Sequence, residues 1–490
     1  MEAHSPDNLS ARFLRHRTLV IILAVALLLR LAVIPLLSIH HPDELWQYLE
    51  RAHKLAFGRG VETVDYRLGF RTWILPFFMA PFMWIGDAVA PRTLFYLYLP
   101  KGMLALLSLT IVWSWWKLGT GISRTHAVLG AIIAAIWVDL IYFAGRFLTE
   151  PVSMALFFPA AAILHRKDLG RRELIIAGFL LGLAFAVRFQ LAPALLCLVL
   201  WTEWRRFRQT LHWLVLGGLG ALALDGVIDL MTGHVAFRWI VENIRFNIIQ
   251  GKSSEFGETP SHFYLYLFVH RWGWAYLPIL LLAAIGTRRF PALAFVAVVN
   301  LAAHSLVPHK EWRFILLSSE IFIFLAAIGT VDALNLIHAR SRRRILGAIA
   351  CVAWGSLSLM LAFAEPLNHE WRAHRPLLRT LQGAGKIPGV CGLAIYETKW
   401  PLSVSYTYYH RDTPIFGFKG DEFAFRAHAD RFNVVIGHPG RPPGGSYTRV
   451  ACESFPHRQP PLCVYHRPGG CRSLPAEEHE IDNFLKRRGV

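Results

Sequence analysis

Apolar runs close to twenty residues long, separated by short basic loops, dominate this sequence. A helix needs ~20 such residues to cross the hydrocarbon core of a bilayer. In lipid, only helices and closed barrels satisfy every backbone polar group. The runs lie near 18–38, 94–116, 125–144, 148–164, 173–187, 190–203, 211–231, 272–287, 290–307, 312–333 and 344–364, which makes eleven predicted spans. Only 17% of the 490 residues are charged and 54% are hydrophobic, against ~25% charged in a typical soluble domain. A soluble globule, a disordered chain and a coiled coil are excluded. The expectation is a polytopic α-helical membrane protein, residues 1–365, followed by a polar segment, residues 366–490.

The net charge of +18 would raise a nucleic-acid hypothesis in a soluble protein. Here no nucleic-acid motif is present, and much of the basic charge sits in short loops beside apolar runs, where it orients membrane helices. Arg12, Arg15 and Arg17 precede the first run. That run is too long for a signal-peptide core and no small-residue cleavage site follows it, so it reads as an uncleaved first span with a cytoplasmic flank. Residues 73–90 are apolar but interrupted by Pro76, Pro81, Gly86 and Asp87. They are assigned as a partly immersed hairpin. Counting them as a span would place the arginines of 165–172 and 204–208 outside. Without that span, the cytoplasmic loops hold Lys117 and Arg124; Arg166, Lys167, Arg171 and Arg172; Arg205, Arg206 and Arg208; Arg288 and Arg289; and Arg340, Arg342, Arg343 and Arg344. The outer face receives loops 39–93 and 232–271 and the C-terminal domain 366–490.

That domain reads as small and α/β, with a helix over 369–383, strands at 390–396 and 433–437, and a turn-forming RPPGG at 441–445. Cys197 and Cys351 lie in apolar runs and read as packing residues. Cys391, Cys452, Cys463 and Cys471 fit no zinc spacing, so disulfides on an oxidising face are expected. The sequon Asn8-Leu9-Ser10 falls on the cytoplasmic side. An outer face without one leans towards a bacterial inner membrane with an extracytoplasmic site, or an ER membrane with a lumenal site if the source is eukaryotic.

Several polar groups demand a reason. HHPDELWQYLERAHKLAFG (40–58) predicts an amphipathic helix at the membrane surface, with Pro42 in its first turn. Leu45, Leu49, Ala52 and Ala56 form one stripe; Asp43, Gln47, Glu50 and Lys54 form the opposite one. Asp43 and Glu44 either complement the helix dipole or, beside His40 and His41, form a base site. Arg146 and Glu150 in GRFLTEP meet at an outer junction, where they pair with each other or serve a ligand. Arg188 interrupts the apolar stretch 173–203. A charge at that depth costs ~2.5–3.5 kcal/mol on insertion scales, so it snorkels, faces a cavity or finds a partner. SLVPHKEWRF (305–314) places His309, Lys310, Glu311 and Arg313 at another outer boundary. That cluster suits a lipid-linked phosphate or outer headgroups. Loop 232–271 adds Asn243, Asn247, Lys252, Glu255, His262 and Tyr264.

At these residues the chain resembles glycosyltransferase family 22, which includes GPI mannosyltransferases and mannosyltransferases of the asparagine-linked glycan pathway. HPDELWQ (41–47) resembles the family's opening motif, and HKEWRF (309–314) matches its His-Lys-Glu-x-Arg-Phe motif. Thr63-Val64-Asp65-Tyr66 and Arg71-Thr72, with Pro76, stand where the family shows Thr-Trp-Glu-Tyr, Arg-Ser and proline. The stretch from Asn247 through Phe256-Gly257 to Pro260, His262 and Tyr264 is similar to a further family loop, and Asp225 to the aspartate before it. The resemblance covers roughly 18–330. It implies a C-type membrane glycosyltransferase fold, a polyprenyl-phosphate sugar donor, most simply mannose, and an inverting transfer to a lipid-linked glycan acceptor.

The residues fit that chemistry. Inversion needs one base for the acceptor hydroxyl; Asp43 is the first choice and Glu44 the second. The phosphate leaves without needing a proton, but cationic groups must stabilise it. His309, Lys310 and Arg313 come first, then Arg146 and Arg188. His41, Gln47, Arg71, Glu150, Asn247, His262 and Tyr264 are assigned to substrate. With such cations no metal and no cofactor is required. Rival readings are transfer of another sugar, transfer to protein Ser/Thr, and a lipid or glycan transporter, whose class often shows repeats and helices broken at the membrane midplane.

Overall fold

Each of the eleven apolar runs holds helix in the structure, a computed structural model that describes residues 6–252, 254, 257–337, 343–396, 404–419, 421–455, 460–472 and 478–489. Arg340 and Arg342, and Glu255 and Phe256 of the second large loop, lie outside the described residues. Among the described residues, five helical stretches are each long and apolar enough to cross a membrane: Phe95–Thr120, Arg208–Met231, Phe263–Thr287, Trp312–Leu336 and Ile345–Phe363. The chain divides into two units.

The first unit is Met1–Pro35, Thr72–Ile74 and Tyr98–His369. The helix Leu316–Ile337 runs through its interior, with Glu320, Ile321, Phe324, Leu325 and Ile328 all fully buried. It lies very close to Tyr276–Thr287 because two glycines face each other across the pair. A Cβ on Gly286 would meet the Leu325 carbonyl oxygen, and one on Gly329 the Leu282 carbonyl oxygen, both at 2.0 Å or less. Small residues at such crossings let helices associate where the hydrophobic effect gives no drive. The stretch 173–203 breaks for a local reason. The helix Arg171–Val187 ends at Arg188, a 3-10 turn follows, and Pro193 opens Ala192–Glu203. Two buried arginines of the unit show the partnering that a charge at such depth calls for. Arg30 donates to Ser108 Oγ at 2.9 Å and to the carbonyls of Ala26, Ala134 and Ala135 at 3.0–3.1 Å. Arg271 pairs with Asp139.

The second unit is Leu36–Arg71, Leu75–Leu97 and Glu370–Val490. Its centre is a five-stranded sheet: β1 (Leu393–Tyr396), β2 (Ile415–Phe418), β3 (Val434–Gly437), β4 (Thr448–Glu453) and β5 (Leu462–His466), in the order β2-β1-β3-β5-β4. β1 runs parallel to β2 and β3; β5 is antiparallel to β3 and β4. Parallel neighbours need crossovers, and the short helices Tyr406–Tyr409 and Glu422–Ala427 lie in them. Tyr396, Phe416, Phe418, Phe425, Phe432 and Tyr465 build the core. The two strands expected at 390–396 and 433–437 are β1 and β3. The helix expected over 369–383 is two pieces, Leu367–Glu370 and Arg375–Gly385, separated at His374, which sits at φ 60°. Cys391 pairs with Cys471 and Cys452 with Cys463; Cys197 and Cys351 are free.

Two expectations need correction. Residues 74–89 form one continuous helix, Ile74–Val89, with Pro81 inside it, and not a hairpin. Pro76 lies in the first turn, where its missing N–H is no loss. At 1.5 Å per residue this helix reaches ~24 Å, short of a ~30 Å core. The surface helix after Pro42 is also different. Over Glu44–Leu49 it widens to i→i+5 bonding, the Glu50 N–H reaching the Leu45 carbonyl, before an α-helix Glu50–Phe57 follows. The wide turn rotates the stripes. Leu45, Leu49 and Ala52 are buried, but so are Gln47 and Glu50. This helix is a core element of its unit.

Candidate functional site

In the first unit, Glu150 and Glu311 organise the cations of two segments, Arg188 and the stretch 309–313. Glu150 is in the first turn of Thr149–Leu164. Its Oε1 accepts from Arg188 at 2.9 Å and lies 3.7 Å from Arg313. Arg188 is therefore buried and paired within the protein, and does not snorkel. Arg313 donates through Nε to Glu311 Oε2 at 2.7 Å, and His309 Nε2 lies 2.9 Å from Glu311 Oε1. The hydrogen bond to Glu311 raises the His309 pKa above its ordinary value, which favours imidazolium. Arg188 and Arg313 both stand over the Phe314 ring, at 5.2 and 5.1 Å. Behind this group, Arg271 covers Trp312 at 5.5 Å.

The Lys310 ammonium donates to the carbonyls of Val307, Thr259 and Pro308 at 2.7, 2.9 and 3.5 Å, which ties residues 259 and 307–310 together. Arg146 is buried over the Tyr142 ring at 4.3 Å. Tyr264 is buried and lies against the backbone of Glu311. Asn247 donates to Asn243 at 2.9 Å. His262 is exposed at the start of Phe263–Trp272. Asp225 accepts from Thr72 at 3.0 Å and Trp239 at 3.1 Å, which anchors the loop after Met231.

In the second unit, Asp43 is partly exposed at the helix start, with His41 Nδ1 3.4 Å from its Oδ1. Glu44 is fully buried and accepts the His40 backbone N–H at 2.9 Å. The accessible carboxylate is the one better placed to meet a substrate hydroxyl, which ranks Asp43 above Glu44. Gln47 donates to Asp65 at 2.5 Å. Arg51 donates to the carbonyls of Asp65 and Arg71 at 2.8 and 3.1 Å. Burial, and secondarily the charge of Asp43, raise the Asp65 pKa, while Arg71 and Arg51 oppose that rise. His41, Asp43, Gln47, Asp65 and Arg71 thus form one polar group. Asp65 was missed as a site residue; its signal was its place in the 63–66 stretch.

Sequence reading also missed His304, which nothing in the HKEWRF motif announces. It ends Pro291–Ser305, is buried, and bonds through Nδ1 to the Asn300 carbonyl at 2.9 Å. Among the described residues no cluster of His, Cys, Asp and Glu is arranged to hold a metal.

The first unit is thus a set of apolar helices, two of them packed through glycines, that encloses a buried Arg–Glu–Arg group. The fold is similar to that of ArnT from Cupriavidus metallidurans. The TM-score is 0.59 with 12% identity to the structure bound to undecaprenyl phosphate, covering 91% of this chain and 97% of that one. Against the apo structure the TM-score is 0.58. Residues 20–374 match the Alg9-like mannosyltransferase family, and the chain belongs to that family. A probable Dol-P-Man:Man(7)GlcNAc(2)-PP-Dol alpha-1,6-mannosyltransferase of Schizosaccharomyces pombe is 33% identical over 161 residues, 31% of this chain and 29% of that protein. GPI alpha-1,2-mannosyltransferase 3 of Danio rerio is 25% identical over 287 residues, 56% of this chain and 52% of that protein. The chain thus spans between about a third and about half the length of these relatives.

Proposed function

We propose that this protein transfers mannose, with inversion, from a polyprenyl-phosphate donor to a hydroxyl of a lipid-linked glycan. The observation that carries the reading is the group Arg188–Glu150–Arg313–Glu311–His309, buried at Arg188, Glu150 and Arg313 and partly exposed at Glu311 and His309. With His309 protonated its formal charges leave one net positive, matched to the single negative charge of a sugar phosphodiester. Preorganised charge of this kind stabilises a departing phosphate without a metal. The relatives' names, which specify mannosyl transfer from dolichol-phosphate mannose or to GPI, support the sugar and the donor class. The undecaprenyl phosphate in the ArnT structure supports a polyprenyl carrier. Asp43 takes the acceptor proton as the anomeric carbon is attacked, and the leaving oxygen departs as phosphate.

The same reading places eleven spans in the membrane, basic loops on the cytoplasmic side, and the sheet-containing segment outside, in a bacterial inner membrane or the ER. Helix at every apolar run and two disulfides support it. The deciding experiment gives purified protein, in nanodiscs, polyprenyl-phosphate mannose and a panel of lipid-linked glycans. Mannosylated lipid is the expected product. Turnover with a glucosyl or arabinosyl donor and none with mannosyl would replace the sugar assignment.

A further inference from the structure

Within the second unit, three segments distant in sequence meet at two histidines. His53 lies in Glu50–Phe57 and is buried. Its Nδ1 stands 2.5 Å from the Arg59 carbonyl oxygen, and its Nε2 stands 3.0 Å from Nδ1 of His410. Nε2 of His410 stands 3.2 Å from Oδ1 of Asp87, near the end of Ile74–Val89. The Tyr96 ring stacks on His410 at 3.9 Å, and Phe57 stands edge-to-face with it at 5.0 Å. Tyr96 donates in turn to the Thr407 carbonyl at 2.5 Å.

These contacts fix a count of protons. The Arg59 carbonyl only accepts, so His53 Nδ1 carries a hydrogen. The Asp87 carboxylate only accepts, so His410 Nε2 carries one too. Between His53 Nε2 and His410 Nδ1, one hydrogen must face one lone pair. Three protons on two imidazoles make one of them a cation. His410 is the one beside a carboxylate, and burial pushes His53 down to about 3, so the charge belongs to His410. Two neutral imidazoles supply only two protons, and one of the three contacts would then set lone pair against lone pair. The contact to Asp87 is the one that yields. It is the longest, and the His410 and Asp87 side chains are 21% and 34% exposed, so water can replace each partner.

We propose that His53, His410 and Asp87 form a proton-operated latch, which ties the end of Ile74–Val89 to Glu50–Phe57 and the segment 406–410 in acid and releases it when one proton leaves. The titratable groups that face His410 are His53 from Glu50–Phe57, Asp87 from Ile74–Val89, Tyr96 from the start of Phe95–Thr120, and Arg411 beside it in sequence. Burial lowers the His410 pKa, contact with Asp87 opposes that, and Arg411 adds to the lowering. Without Asp87 the lowering is unopposed. The closed form therefore holds one proton more than the open form, gains as pH falls and is lost as pH rises. The latch gives the second unit a response to the acidity of its compartment, whatever sugar the enzyme transfers.

The test uses the full chain in nanodiscs, in a background lacking Cys197 and Cys351. Spin labels are placed at Val89→Cys and Phe423→Cys, positions 68% and 87% exposed, without reductant so that both disulfides stay. Their separation is read by double electron–electron resonance at pH 5 and pH 8. One narrow population is expected to dominate at pH 5, and its ratio to the broad, released population is expected to fall at least about tenfold by pH 8. Asp87→Ala is expected to be released at both pH values. Asp87→Asn, whose amide N–H can meet the bare Nε2 of neutral His410, is expected to be closed at both. Nitrogen NMR of labelled histidine is expected to show both His410 nitrogens protonated at pH 5. A separation that does not change with pH, one that broadens in acid, a pH response that survives Asp87→Ala, or a neutral His410 at pH 5 would each overturn the proposal.

Discussion

Glu50 shows how far a single side chain can depart from its place on a helical wheel. Its carboxylate accepts Ser405 Oγ at 2.5 Å and the backbone N–H groups of Val61, Tyr406 and Thr407 at 2.8–3.1 Å. The helical period alone put it on the polar stripe with Asp43; only the wide turn and the distant 405–407 segment reveal a buried anchor. Glu50→Gln turns an amide N–H towards these donors, so about 1–3 kcal/mol of stability is expected to be lost, read as a drop in melting temperature. Asp43→Asn removes an accessible acceptor of a proton. Turnover is expected to fall ~10²–10⁴-fold while undecaprenyl phosphate binding is unchanged; near-normal turnover would end its assignment as the base. A third residue sets a pH dependence. Asp482 accepts the Glu62 N–H at 2.8 Å, and burial lifts its pKa from 3.8 to about 6. A carboxyl with a raised folded pKa binds its proton better when folded. Stability is therefore greatest below pH 3.8 for this group and is lost as pH rises to about 6. Asp482→Asn is expected to flatten that step in a urea or thermal titration over the same window.

Helices and loops were legible where a local pattern decides them. The apolar runs, the interruption at Arg188 and the short apolar strands β1 and β3 all depend on a few neighbouring residues. The failures lie where distant groups decide. Four helix breakers near Ile74–Val89 looked like a hairpin, yet Pro76 falls in a first turn and Pro81 is tolerated within an otherwise continuous helix. The bond from Lys310 to the Thr259 carbonyl is likewise invisible within HKEWR, where three cations stand together. Lys310→Met should then loosen residues 307–310, raising the donor KM and speeding proteolysis of the loop, whereas Arg313→Lys should weaken donor binding without either structural sign. At the helix pair Tyr276–Thr287 and Leu316–Ile337, Gly329→Leu forces a side chain onto the Leu282 carbonyl. The two helices must separate, and a loss above ~3 kcal/mol, or failure to purify as a monodisperse protein, is expected.

Over the whole molecule, the family and the membrane character were readable from motifs in order and from run lengths, whereas the division into units was not. Composition marks a boundary near residue 366, but Leu36–Arg71 and Leu75–Leu97 belong with the C-terminal segment, because Glu50, Trp46 and Tyr96 bond to residues 404–407. Topology is checked with single cysteines in a background lacking Cys197 and Cys351. Label is expected to reach Asp168→Cys only from the cytoplasmic side and Gly440→Cys only from the other; outside labelling of residue 168 would remove the eleven-span assignment. Among the disulfides, Cys391–Cys471 spans 80 residues and Cys452–Cys463 spans 11. Loop-closure entropy assigns ~4.5 kcal/mol to the first and ~3 kcal/mol to the second, so losing the long bridge is expected to cost more melting temperature. The interleaving of early and late segments in one unit also sets a schedule for synthesis. A ribosome adding ~5–20 residues per second needs on the order of tens of seconds to travel from the end of the early segment to the start of the late one. Throughout that interval the helix bearing Asp43 and Glu50 has left the translation machinery but its partners at residues 404–407 do not yet exist. A nascent chain stalled before residue 405 would carry an anchor with nothing to hold, which makes this helix the place where a cell's quality control would first detect an unfinished copy.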